Sequence, residues 1–174
     1  MFAAGSGAKD RMIRAFFAVL EKKHYSKITV SELIEAAGVS RTTFYRHYTD
    51  IFDMYEKVCT LFIEKFIMTA LVDSLKTNPK YDEKFFEKLC DTISCQQKYI
   101  FLLCGENGDR RFFGRAFEIA EKSLRFLTFT MKPEEIFKLR FVIYAGVSCF
   151  VESIIKEEKF PIDVLEITKE ILKI

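Results

Sequence analysis

Arg41, Thr42, Tyr45 and Arg46 recur at i, i+1, i+4 and i+5, which on a helix sets two guanidiniums, a hydroxyl and a phenol on one surface. A guanidinium can donate two parallel bonds to the acceptor edge of guanine. A threonine can bond a base edge or pack on a thymine methyl, and phosphate oxygens accept from tyrosine, histidine and free helix N-termini. This face is suited to reading a duplex through its major groove. Bond-making chemistry has no comparable signature: no nucleophile–base pair, no spaced carboxylate dyad and no glycine-rich phosphate loop is visible, so an enzyme is not expected. The only histidines are His24 and His47 and no CxxC pair occurs, so neither a metal nor another cofactor is expected.

Such a face needs a short, rigid helix held at a fixed crossing angle, and the flanking residues supply one. Thr29 precedes Val30-Ser31-Glu32-Leu33, with Glu32 three residues on, the pattern of a capping box that satisfies two backbone donors at a helix start. Gly38 can take the left-handed conformation that ends this helix, and Ser40 offers its hydroxyl as the cap of the next. Two short helices around Ala37-Gly38-Val39 have the spacing of a helix-turn-helix. Val39, Phe44 and Tyr48, with Leu33 and Ala36, form the inward face, opposite Arg41, Thr42, Tyr45 and Arg46.

The strings Ile28-Thr-Val-x-Glu-Leu33, Ala36-Ala-Gly-Val-Ser40 and Thr43-Phe-Tyr-Arg-His-Tyr48 resemble the N-terminal domain of the TetR/AcrR family of transcriptional regulators, over roughly Lys9 to Val58. The resemblance implies that Ser40 to Tyr48 is the recognition helix, that Thr29, Tyr45 and His47 match phosphate-contacting positions, and that Arg41, Thr42 and Thr43 match positions near bases. Together with Ser40 and Arg46 these form the DNA-binding set. The implied partner is double-stranded DNA carrying a pseudopalindromic operator, bound by a homodimer. One departure stands out: the family usually has a phosphate-contacting lysine at the start of the fourth helix, where this chain has Ile51.

Charge distribution agrees with such a partner. Residues 1–48 carry eight Lys/Arg against four acids, a surplus of +4, whereas the whole chain of 174 residues has only +2. Proline and glycine are scarce, at three and seven, and long strand-type alternation is absent, so the fold class is all-α. We expect about nine helices, with a DNA-binding domain over 1–50 and an effector-binding and dimerisation domain over 51–174. The first helix spans about Lys9 to Lys23, the fourth runs from an Asp50 cap to about Lys76, and a fifth starts near Tyr81. A loop falls at Gly105 to Asp109, and further helices run from Arg111 to about Phe129, from Pro133 to about Glu157 and from Pro161 onward. With 49% apolar residues the core is ample, and no uncharged stretch reaches the roughly 20 residues that span a membrane. Five cysteines, an odd number unevenly spaced with no leader-like segment, read as reduced thiols of a cytoplasmic protein.

The C-terminal two thirds have no motif as sharp. Nineteen phenylalanines are many for this length, and Phe62, Phe66, Phe85, Phe86, Phe101, Phe112, Phe113 and Phe117 are candidates either for plain core or for the lining of a small apolar or aromatic effector's cavity. We place that pocket at Phe62, Phe66, Phe85, Leu89, Ile93, Phe113, Phe117 and Tyr144. Between Ile136 and Ile155 apolar residues occupy nearly every angle of the helix, which implies burial on two sides. We therefore expect a dimer interface at Ala145, Gly146, Cys149, Ile154, Leu165 and Leu172, built as a four-helix element. The expected function is repression relieved by a small apolar ligand. Residues Phe150 to Leu165 also resemble the ending of a subgroup that includes activators of dihydroxyacetone kinase operons, which implies, as an alternative, an activator controlled by a protein partner.

Overall fold

The computed structural model describes residues 7–69, 72–73, 91–92, 95–127, 132–156 and 170, and within those residues every regular element is a helix. They are α1 (Ala8–Leu20), a 3-10 turn (Tyr25–Lys27), α2 (Val30–Ala37), α3 (Arg41–His47), α4 (Ile51–Phe62), α5 (Gln97–Cys104), α6 (Arg111–Leu127) and α7 (Pro133–Lys156). α4 continues into a π-helical stretch, Ile63–Met68. The helices expected near Tyr81 and from Pro161, on which the count of nine depends, lie outside the described residues.

The local signals act as read. Thr29 accepts from the Glu32 N–H at 3.3 Å, Ser40 from the Thr43 N–H at 3.1 Å and Asp50 from the Asp53 N–H at 2.8 Å, so α2, α3 and α4 each begin on a side-chain cap. Gly38 closes α2 at φ 60°, the left-handed region where a side chain is disfavoured. α1 ends at Leu20 and not Lys23, because the chain turns there towards the 3-10 turn, whose start is capped by His24 accepting from the Ser26 N–H.

α1 is buried on more than a stripe: Met12, Ile13, Ala15, Phe16, Phe17, Val19 and Leu20 are all in the core. One side meets α2 and α3, and the other meets α5. The apolar cluster therefore runs unbroken from Leu33 and Phe44 through Phe16, Tyr55 and Phe62 to Ile100, Leu103 and Phe112. Phe16 meets Tyr55 edge-on at 6.3 Å between ring centroids, and Phe17 meets Tyr99 at 4.8 Å. Among the described residues no helix is long and apolar enough to cross a membrane.

Candidate nucleic-acid interface

α3 divides its residues as the spacing predicts. Phe44 is fully buried and Tyr48 is 2% exposed, with burial pushing the Tyr48 phenol up to about 12. Arg41, Thr42, Tyr45 and Arg46 are all exposed, and the Tyr45 ring stands 51% open while its edge rests on Phe44. One member of the expected inward set is displaced by a residue: Ala36 faces solvent and Ala37 is buried. A step of one residue turns a helix by about 100°, enough to exchange the two faces.

The outward residues are not equally free. Arg41 Nη2 donates to Ser31 Oγ at 2.7 Å, which ties the start of α3 to the first turn of α2. Ser40 and Thr43 are occupied by each other, with their hydroxyls 2.9 Å apart beside the capping bond, so their first role is to build the helix start. Thr29 likewise spends its oxygen on the cap of α2. Arg46 and Tyr45 have no partner for their polar groups among the described residues. His47 is half-buried, and its carbonyl accepts from Lys57 Nζ at 3.2 Å.

Ile51 is 5% exposed and packed in the core, so no side chain at this position projects as the family's lysine does. Lys57 adds a cation to Arg46 at this end of α3. Its ammonium lies 5.7 Å from the centre of the Tyr48 ring and 2.9 Å from Asp53, whose carboxyl it holds below the usual range. Ser31 and Lys57 are two residues that sequence reasoning did not single out. Each acts across a gap of ten residues between separate helices, which no spacing rule reports.

Behind the helix-turn-helix lies a polar knot. Tyr25 donates its hydroxyl to Asp109 Oδ2 at 3.1 Å, Arg111 Nε donates to the same oxygen at 2.7 Å, and the Asp109 N–H donates to the Tyr55 hydroxyl at 2.8 Å. The Arg111 guanidinium holds the Asp109 carboxyl down to about 2. Desolvation holds the Tyr25 and Tyr55 phenols above their ordinary value.

Of the expected pocket, Phe62 is fully buried among Tyr99 and Phe112, Phe113 is half-buried, and Phe117 meets Tyr144 edge-on at 4.9 Å between centroids. Tyr144 and Arg140 both bond Glu121. Phe85, Leu89 and Ile93 lie outside the described residues, and the description of Phe66 stops at its backbone. A groove of about 250 Å³ opens where the start of α6 and the end of α7 diverge, lined by Arg110, Phe113, Ser148, Glu152 and Lys156. Of the expected interface, Ala145 and Cys149 are exposed on α7, Leu165 and Leu172 lie outside the described residues, and the description of Gly146 and Ile154 stops at the backbone. Burial pushes the Cys59 and Cys104 thiols up to about 12.

These elements define an all-helical protein with a capped helix-turn-helix at its N-terminal end. Residues 13–58 match the family model described as bacterial regulatory proteins, tetR family, which places a domain of that type at the N-terminal end of the chain. The fold is similar to that of a TetR family repressor, AlkX from Dietzia sp. strain DQ12-45-1b, implicated in biodegradation of n-alkanes. That likeness has a TM-score of 0.57 at 18% identity and covers 98% of this chain and 94% of that one. It is also similar to the fatty acid degradation regulator FadR from Bacillus halodurans, with a TM-score of 0.59 at 16% identity, covering 98% and 95% of the two chains. No curated protein matches the sequence.

Proposed function

We propose that the protein is a homodimeric transcriptional repressor in which each α3 enters one major groove of a pseudopalindromic operator. The observation that carries this is the outward quartet Arg41, Thr42, Tyr45 and Arg46, left in solvent by a helix whose caps and apolar face are already satisfied. Thr29, His47 and Lys57 stand at the rim of this face and are suited to phosphates. Selection from a random duplex library by the purified protein gives the test. A paired half-site motif should emerge, and Arg41→Ala and Tyr45→Ala should each abolish its gel shift while leaving helicity and dimer intact. Unchanged binding by both variants refutes the assignment.

α7 supports the dimer. Phe137 is 70% and Phe141 is 49% exposed, and with Ala145 and Cys149 they form one face at intervals of four residues. Two large aromatics in line on an exposed helix fit a face that a second copy covers.

For the signal we propose a small apolar ligand of the body, which relieves repression by favouring a conformation with displaced reading heads. The alkane and fatty-acid contexts of the two similar structures motivate the choice, as does the groove, where Phe113 provides an apolar wall and Arg110 a cation for an anionic end, Lys156 being paired with Glu152 at 3.1 Å. Thermal-shift measurements against n-alkanes and fatty acids test it, since a ligand of the native state raises the melting temperature. A uniformly flat series favours control by a protein partner.

A further inference from the structure

α4 follows directly from the helix-turn-helix, and α1 packs on α5 as well as on α2 and α3, so the head and the body share one apolar core. Apolar burial holds the two together but has no direction of its own, so it does not by itself select one angle between them. Hydrogen bonds do have direction, and beside an ion pair between Glu21 and Lys98 at 2.5 Å, a connected set of them runs from the helix-turn-helix to one loop of the body. Tyr25, in the turn between α1 and α2, donates its backbone N–H to the Asn107 carbonyl at 2.9 Å and its hydroxyl to Asp109. Its ring stacks on Tyr55 of α4 at 4.2 Å, with 22° between planes, and Tyr55 in turn donates its hydroxyl to the Leu103 carbonyl and accepts from the Asp109 N–H.

The loop is itself held rigidly. Asp109 accepts from both Nε and the backbone N–H of Arg111, the latter at 2.9 Å. Gly108 lies so close beneath the end of α5 that a Cβ there would sit 2.1 Å from the Leu103 carbonyl oxygen. Tyr25 is 6% and Tyr55 is 1% exposed, and the Asp109 side chain is 15% exposed, so these bonds compete little with water.

We propose that Asp109 is a positioning residue for DNA reading: its bridge to Tyr25 fixes the angle of each helix-turn-helix on the body, and so fixes the half-site spacing that the dimer accepts. This rests on the reading of the chain as a dimer that binds paired half-sites. Base identity within a half-site belongs to α3, and spacing belongs to the Tyr25–Asp109–Arg111 bridge.

The two roles separate in one experiment. Purified protein first selects its half-site from a random library, and a second library then holds two such half-sites apart by every spacing over one helical turn. The wild type should bind one spacing with a sharp preference. Tyr25→Phe and Asp109→Asn should select the same half-site letters while their preference for that spacing over its neighbours falls by about tenfold, the effect of losing a bond to a charged group. Arg111→Ala, whose side chain is largely in solvent, should broaden the spacing in the same sense, and it carries the test should either other variant lose its helicity. A spacing profile identical to wild type in the folded variants overturns the proposal, as does a change in half-site letters. A wild type that selects no sequence at all overturns the DNA-reading assignment as well.

Discussion

Among the described carboxylates, Asp109 is the one held furthest below its ordinary value. Its carboxyl is held down to about 2, first by the Arg111 guanidinium, against about 4 for a free aspartate. A group whose folded value lies below its unfolded one adds stability that is complete above the unfolded value and is lost as pH falls through the folded one. The Asp109 contribution is therefore present at neutral pH and disappears between about pH 4 and about pH 2. Arg111 stands largely in solvent, which screens the pair, so the contribution is about 1 kcal/mol. Urea unfolding of the wild type and Asp109→Asn should give stabilities about 1 kcal/mol apart at pH 7 that converge near pH 2. A gap that persists to pH 2 would assign the effect to packing. At this scale the sequence was legible where a residue's partner is close in the chain: Thr29, Ser40 and Asp50 were readable as caps because each acts three residues on. Asp109 was visible only as part of a loop, since its partner Tyr25 lies 84 residues away.

At the scale of elements, two glycines do different work and predict different penalties. Gly38 has nothing within 4 Å of a virtual Cβ, but it sits at φ +60°, so Gly38→Ala should cost only the left-handed backbone term, about 1–2 kcal/mol, with α2 and α3 still in place. A Cβ at Gly108 would meet the backbone oxygens of Leu103 and Leu102 at 2.1 and 2.7 Å. Neither oxygen can move without unwinding the end of α5, so Gly108→Ala should destabilise by about 2 kcal/mol or more and loosen the loop that holds Tyr25. Denaturant midpoints rank the two, and equal penalties would contradict the distinction. The same contrast explains what could be read beforehand. The turn at Gly38 lies between two capped amphipathic helices and announces itself through Ala37-Gly38-Val39, whereas the close approach at Gly108 depends on how α5 meets the loop. The exchange of Ala36 for Ala37 has a similar origin, because two adjacent alanines carry no polarity to say which one faces inward.

At the scale of the whole molecule, the expected dimer rests on a face of α7 that no described residue covers and that carries a cysteine. Phe137, Phe141, Ala145 and Cys149 share that face. Cys95 is equally exposed but lies just before α5. Cys59 and Cys104 are buried with their thiols pushed up to about 12, so they present almost no thiolate to an electrophile at neutral pH. Thiol labelling therefore reports on assembly. In a Cys90→Ser background, Cys95 should react quickly at every protein concentration. Cys149 should be protected at high concentration, where a second copy covers α7, and should become reactive on dilution. Phe141→Glu places a charge in the middle of that face and should yield a monomer by sedimentation, in which Cys149 reacts as fast as Cys95 while helicity is retained. If Cys149 labels at one rate across concentrations and the variant sediments like wild type, the copies meet elsewhere and the face at Phe137 and Phe141 is open to a different protein.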